Sequence, residues 1–397
     1  MIPYGKHSVG VRDLFAVAKQ LIFGTLTQGE KVNEFEERLA IKIGAEYAVS
    51  MNSGTSALHL AIEALDLEIN SEIITSPLTF VATANCIMYA NLKPKFIDID
   101  PLSKNLDLDL IEEECKINSN IKAIVVVHFA GLPVDMSRLW DIAQKYDLKI
   151  IEDAAHALGA SYLDGTPVGN CKYSDITMFS FHPVKSITTG EGGIITTNNY
   201  DIYKKLLRTR SHGINKGNDD FINATNAFSD GVKNSWYYEM QEIGYNYRLT
   251  EIQAALGISQ LKKLDKFISK RRKKAAKYNQ VLSNHAAFKP ANACFKFNSS
   301  FHLYQIDIDF SILKLNRDQI MRLLREQGVG TQVHYLPVPL HPYYEKLGYE
   351  MNSLPNSLKH YMTSLSIPIF PGLTFMQQRK VIKTLISVFS QSLNHNA

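Results

Sequence analysis

The chain has 397 residues, 45% of them hydrophobic and 21% charged, with a formal net charge of +4 at pH 7. Those proportions describe a globular protein with ample core and too little positive charge for a nucleic-acid partner. The opening "MIPYGKHSVG" has no apolar signal-peptide core, and no run approaches the ~18 apolar residues of a membrane span. The cysteines Cys86, Cys115, Cys171 and Cys294 form no CxxC, so neither a disulfide framework nor a zinc site is expected, and a reducing cytoplasm fits.

From residue 47 onward, short apolar runs alternate with helical patterns. "YAVSM" reads as a strand before the helix-like "TSALHLAIEAL", and "EIITS" as a strand before "FVATANCIMYA". "PKFIDID" precedes "LDLDLIEEEC"; "IKAIVVVHF" precedes "MSRLWDIAQKYD"; "LKIIED" and "ITMFSF" follow as further strands. Alternation of this kind predicts an α/β domain with βαβ units and a mostly parallel sheet. The continuous apolar runs suit strands covered on both faces.

The polar segment 213–235 breaks the rhythm. It reads either as a mobile surface excursion or as a loop that closes over a site or reaches a partner subunit. After it, residues 244–279 predict one long amphipathic helix that opens a second domain, with "SKRRKKAAK" as a solvated basic face. "HLYQIDID", "QIMRLLREQG" and "GTQVHYLP" then predict a smaller α/β or α+β unit.

In an open parallel sheet the loops at the carboxyl ends of the strands share one crevice. Four such loops here are "NSGTSAL", "PLTF", "EDAAH" and "HPVK". They bring a Gly/Ser/Thr helix start, the Phe80 ring, the Asp153 carboxylate and the Lys185 amine. Each has a plainer reading: a helix N-cap, a core phenylalanine, a cap for the next helix, and a solvated lysine. Together they match what pyridoxal 5′-phosphate needs: an amine for its aldehyde, an acid beside its ring nitrogen, a stacking surface and an anion cradle. No GxxxxGK[ST] or GxGxxG is present, and the histidines have no HExxH spacing. His156 follows Asp153 by one helical turn and is placed to reach the same ligand.

At these residues the sequence resembles the DegT/StrS-type sugar-nucleotide aminotransferases. The likeness runs from "IPYGKH" and "LTQGE" through "NSGTSALHLAI", "EDAAHALGASY", "FSFHPVKSITTGEGG" and "GYNYRLTEIQAALG" to "QVHYLPVPLHPYY". "RSHGI", "WYYEMQEIGYNYRL" and "FPGLT" resemble the branch that forms UDP-4-amino-4,6-dideoxy-N-acetyl-β-L-altrosamine for pseudaminic acid. The resemblance implies the type I (aspartate-aminotransferase-like) fold of pyridoxal-phosphate enzymes. It implies a large domain over residues 1–250, with an N-terminal arm of 1–30, and a smaller C-terminal α/β domain over 251–397. Lys185 would carry the cofactor and shuttle the proton, Asp153 would face the ring nitrogen, Phe80 would stack on the ring, and His156 would lie near the ring hydroxyl. Thr55, Ser56 and Ser180 would hold the phosphate. The "YNYR" segment would cross a homodimer interface, bringing Asn246 to the partner's phosphate and Arg248 to the partner's substrate. His334 and Tyr335 would touch the sugar nucleotide. The substrates implied are L-glutamate and a UDP-linked 4-keto sugar. Rival readings are a related enzyme for another 4-keto or 3-keto sugar and a catalytically silent scaffold, the latter disfavoured by the intact Lys185/Asp153 pair. Relatives that replace the lysine by histidine act as dehydratases, which Lys185 also argues against. One departure stands out: "INSEII", Ile69 to Ile74, replaces the usual Gly-Asp turn before the second strand.

Overall fold

The computed structural model describes residues 1–217, 221–291 and 298–393, so Cys294 lies outside the described residues. Helices α1 (Val11–Phe23) and α2 (Glu30–Ile43) precede the alternating region of β1 (Tyr47–Met51), α3 (Gly54–Glu63), β2 (Glu72–Thr75), α4 (Val81–Tyr89), β3 (Lys93–Phe96) and α5 (Leu108–Ile117). It continues with β4 (Ile121–Val127), α6 (Met136–Tyr146), β5 (Lys149–Asp153), β6 (Ile176–Ser180), β7 (Gly193–Thr197) and α7 (Tyr200–Thr209). The seven strands form one sheet in the order β1-β7-β6-β5-β4-β2-β3. Pairing is parallel from β6 through β3, while β7 runs antiparallel to both its neighbours. Since β1 and β6 both oppose β7, they point the same way, and the loop after β1 opens on the same edge as those after β5 and β6.

One sheet face is covered by α2, α5 and α6 through a cluster that includes Phe35, Leu39, Ile111, Leu139 and Ile150. The other is covered by α3, α4 and α7 through Leu58, Ile62, Ile87, Ile151 and Leu206. This double cover explains why the parallel strands read as continuous apolar runs. In the departing turn, Asn70 adopts φ 69°. Asparagine tolerates that left-handed conformation better than most residues, so the turn is made without glycine.

The segment after α7 forms short pieces: β8 (Ile214–Asn215), α8 (Ala224–Ala227), β9 (Phe228–Ser229), β10 (Val232–Lys233) and β11 (Glu239–Met240). Glu239 gathers it, accepting from the amides of Ile222 and Asn223, at 2.6 and 3.1 Å, and from the Tyr237 hydroxyl at 2.8 Å.

The expected long helix is two, α9 (Glu251–Leu261) and α10 (Leu264–Leu282). The break at Lys262–Lys263 lets α9 lie against α1 and α2 while α10 turns toward the C-terminal unit. Leu264, Phe267 and Ile268 pack with the first unit, and Ala275, Tyr278 and Leu282 with the second. The two clusters thus meet within α10, past the division expected at residue 250. The basic stretch is not wholly a solvated face. Arg271 is only 1% exposed, and its Nη1 donates to the carbonyls of Phe301, His302 and Ile369 at 3.3, 3.0 and 3.0 Å. The C-terminal unit holds β12 (Phe288–Pro290), β13 (Tyr304–Ile308), α11 (Arg317–Glu326), α12 (Pro342–Lys346), α13 (Pro355–Thr363), β14 (Ser364–Ile367) and α14 (Phe375–Gln391). Its sheet, β12-β13-β14, is antiparallel throughout, which makes this unit α+β.

Candidate active site

Three adjacent strands reach the carboxyl edge of the sheet in register. Val127 of β4 pairs with Asp153 of β5, and Asp153 with Met178 of β6. All three line a cavity of about 590 Å³ at the carboxyl edge of the sheet. Side chains alternate along a strand, so Glu152 points to the opposite face. There it accepts from His128 Nε2 at 2.6 Å, Ser174 Oγ at 2.5 Å and Thr177 Oγ1 at 2.8 Å. The Val134 amide donates to His128 Nδ1, which leaves the ring proton on Nε2. This buried cluster fixes the strand end from behind.

Asp153 is 5% exposed; its Oδ2 accepts from Thr83 Oγ1 at 2.7 Å and its Oδ1 from the Ala155 amide at 3.1 Å. The residues beyond it form turns rather than a helix, so Asp153 caps none. Lys185 sits on the loop between β6 and β7. Its amide donates to the His182 carbonyl at 2.9 Å, and the Thr188 hydroxyl and Thr189 amide both donate to the Phe181 carbonyl, at 2.9 and 3.1 Å. Burial pulls the Lys185 amine down to about 8, with the Asp153 carboxylate opposing the shift.

The N-terminus of α3 faces the same cavity. Ser53 is its N-cap and accepts from the Ser56 amide at 3.0 Å. Thr55 and Ser180 line the cavity beside it. A Cβ on Gly54 would lie 3.0 Å from Ser180 Oγ, and one on Gly193 only 2.5 Å from the Ser53 carbonyl oxygen. Glycine at both positions therefore allows the helix end to press against the strand ends. Phe80 is 60% exposed, as a cavity wall and not a core residue, with its ring 6.4 Å from that of Tyr335.

Burial, reinforced by the Lys185 charge, holds His156 well below its ordinary pKa, so its ring is neutral. Its Nε2 lies 3.1 Å from the Tyr335 hydroxyl, while Nδ1 is buried with no hydrogen-bond partner among the described residues. His334, pulled down to about 3 by burial and then by Lys185, contacts Ser366 Oγ at 2.8 Å. Lys185, Asp153, His156, Thr55, Phe80, Ser180, His334 and Tyr335 thus line one cavity.

Three sequence-predicted residues do not. Ser56 is buried behind the helix start, its hydroxyl donating to Asn52 Oδ1 at 2.5 Å. Asn246 is exposed, and its carbonyl accepts from Asn52 Nδ2 at 3.3 Å. Arg248 donates to Ser211 Oγ at 2.8 Å and lines a second cavity of about 540 Å³, with Arg210, His212 and Lys216. None of the described residues of 213–235 lines the Lys185 cavity. Sequence reasoning missed Tyr4, Thr83 and His302, which do line it. The His302 ring stacks on His156 with centroids 4.3 Å apart. Thr83 had one available signal, its place one turn after Phe80 on the same helix face; Tyr4 and His302 had none.

The donor set fits pyridoxal phosphate: an amine of lowered pKa, a doubly supported carboxylate, an exposed aromatic wall, a hydroxyl-lined helix N-terminus and a buried His156 Nδ1 in want of a partner. The chain belongs to the DegT/DnrJ/EryC1/StrS aminotransferase family, whose profile matches residues 9–386. It is a pyridoxal-phosphate-dependent sugar aminotransferase with the type I fold.

Among its relatives, the UDP-4-amino-4,6-dideoxy-N-acetyl-beta-L-altrosamine transaminase of Campylobacter jejuni is 38% identical over 392 residues, 98% of each chain. The UDP-4-amino-4-deoxy-L-arabinose–oxoglutarate aminotransferase of Shewanella sediminis is 32% identical over 98% of both. The solved structure of Helicobacter pylori PseC, an aminotransferase involved in the biosynthesis of pseudoaminic acid, superposes with a TM-score of 0.88. It has 31% identity and covers 98% of this chain and 99% of its own.

Proposed function

We propose that the protein moves the amino group of L-glutamate to the 4-keto carbon of a UDP-linked 2-acetamido-2,6-dideoxy-hexos-4-ulose. The product is UDP-4-amino-4,6-dideoxy-N-acetyl-β-L-altrosamine, made in the cytoplasm for pseudaminic acid. One observation carries the reaction type: Lys185, Asp153 and Phe80, from three separate segments of the chain, face one cavity. The sugar is supported by the 38% identity to transaminases of that name.

Pyridoxal phosphate, when bound, supplies an aldehyde and an electron-accepting ring. Lys185 would hold the aldehyde, Asp153 the ring nitrogen, Phe80 the ring face and His156 the ring hydroxyl. Thr55, Ser180 and, through the helix start it braces, Ser56 would hold the phosphate, whose charge the N-terminus of α3 favours. With its amine at about 8, Lys185 takes and returns a proton near neutral pH, as a general base and acid must. Among the cavity's described lining residues, Lys185 is the one Lys or Arg, too little positive charge for a nucleotide diphosphate. A second copy is expected to complete the site with Asn246 and Arg248, while His334 and Tyr335 contact the sugar nucleotide.

The test is incubation with glutamate and the β-L-arabino or α-D-xylo UDP-4-keto sugar, with product stereochemistry read by NMR. The reading expects amination of the β-L-arabino substrate; exclusive use of the α-D-xylo epimer would overturn the sugar assignment. A second reading, amination of another keto nucleotide sugar, is favoured by the 32% identity to the arabinose enzyme. Faster turnover of a UDP-4-keto-pentose would support it.

A further inference from the structure

A chain of hydroxyls runs from the start of α4 to the acid on β5. Thr83 Oγ1 donates to Asp153 Oδ2 at 2.7 Å, and the Thr79 and Thr83 hydroxyl oxygens lie 2.8 Å apart. An ionised carboxylate only accepts, so the single Thr83 proton is committed to Asp153 and Thr79 must be the donor to Thr83. A helical threonine usually donates back to the carbonyl four residues earlier; here that proton is spent across the site instead. All three side chains are buried, at 3% for Thr79, 1% for Thr83 and 5% for Asp153. Phe80 is the N-cap of the same helix, so one turn carries both the cavity's aromatic wall and the donor to its acid.

We propose that Thr83, backed by Thr79, is a positioning residue that fixes the orientation of Asp153 toward the cofactor's ring nitrogen. A carboxylate on a single Cβ–Cγ bond can rotate. Donors from two elements, the Thr83 hydroxyl on α4 and the Ala155 amide after β5, hold it in one plane. A directional chain strengthens the last bond, because a hydroxyl that accepts donates better. The inference rests on the reading of Asp153 as the partner of the ring nitrogen.

The test compares binding of pyridoxal phosphate with binding of its carbocyclic analogue, in which the ring nitrogen is a C–H. Dissociation constants are measured for wild type, Thr83→Val, Thr83→Ser, Thr79→Val and Asp153→Asn, each checked for folding by circular dichroism. Thr83→Val is expected to weaken pyridoxal phosphate about tenfold, the scale of a hydrogen bond to a charged group. It should move the analogue less than twofold. Thr83→Ser, which keeps the hydroxyl, should bind both as wild type does. Thr79→Val should show the same selectivity at roughly threefold, and it decides the matter if Thr83→Val does not fold. Equal weakening of both ligands, or unchanged pyridoxal phosphate binding, overturns the proposal. If Asp153→Asn is selective and the threonine variants are not, this inference alone falls. If Asp153→Asn is not selective either, the reading of Asp153 falls with it.

Discussion

The Lys185 amine decides what the cavity can do. Burial lowers its pKa to about 8 from an ordinary 10.5, and Asp153 opposes that change. Capture of an aldehyde requires the neutral amine, so reattachment of pyridoxal phosphate to apoprotein should speed up with pH to a midpoint near 8 and then level. Below the midpoint the rate should drop roughly tenfold per pH unit. Asp153→Asn removes the negative charge that raises the amine's pKa, so the midpoint should move lower. Rapid-mixing absorbance at a series of pH values reads both. A midpoint near 10, or an upward move in Asp153→Asn, would contradict this account of the amine.

At the scale of elements, the close approach of α3 to β7 shapes the proposed anion cradle. A Cβ on Gly193 would meet three backbone atoms: the Ser53 carbonyl oxygen at 2.5 Å, its carbon at 2.8 Å and Gly54 Cα at 2.9 Å. No rotamer change relieves a clash with backbone, so Gly193→Ala should push the helix start away and weaken cofactor retention by roughly tenfold or more. Cofactor retained through dialysis measures this, and full retention would show that the contact is dispensable. The strands and helices around this cradle were legible because apolar runs and helical periodicity mark the buried faces directly. So were the loops carrying Thr55, Phe80, Asp153 and Lys185, since sheet direction puts them on one edge. What sequence could not carry was contact between distant segments. Thr83 meets Asp153 across 70 positions, His302 meets His156 across 146, and Arg271 disappears beneath three carbonyls in a stretch that reads as surface. The break between α9 and α10 was hidden for a different reason: residues 251–282 hold helix-forming residues on both sides of it.

At the scale of the whole molecule, α1 is turned inside out with respect to its own chain. Its buried residues are Asp13 and Gln20, with Asp13 bonded to Ser259, Gln260 and Lys263, while Val11, Leu14, Phe15, Ile22 and Phe23 are exposed. Trp236, Met240 and Ile243 add a further exposed apolar group on the segment that precedes Asn246 and Arg248. Apolar faces of this kind mark interaction surfaces, and the proposed second copy would also explain why no arginine lines the cavity among the described residues. Phe15→Glu is therefore expected to shift the protein toward monomer in light scattering and to cut amination at least ~10-fold, as loss of a partner's charged contact would. A fully active monomer would refute the shared site.

The most direct test of the account is borohydride reduction of the protein loaded with pyridoxal phosphate, followed by digestion and mass mapping of the pyridoxyl label. The label should fall on the peptide that contains Lys185 and vanish in Lys185→Ala. A label on another lysine, or its persistence in that variant, would contradict the assignment on which the proposed chemistry depends.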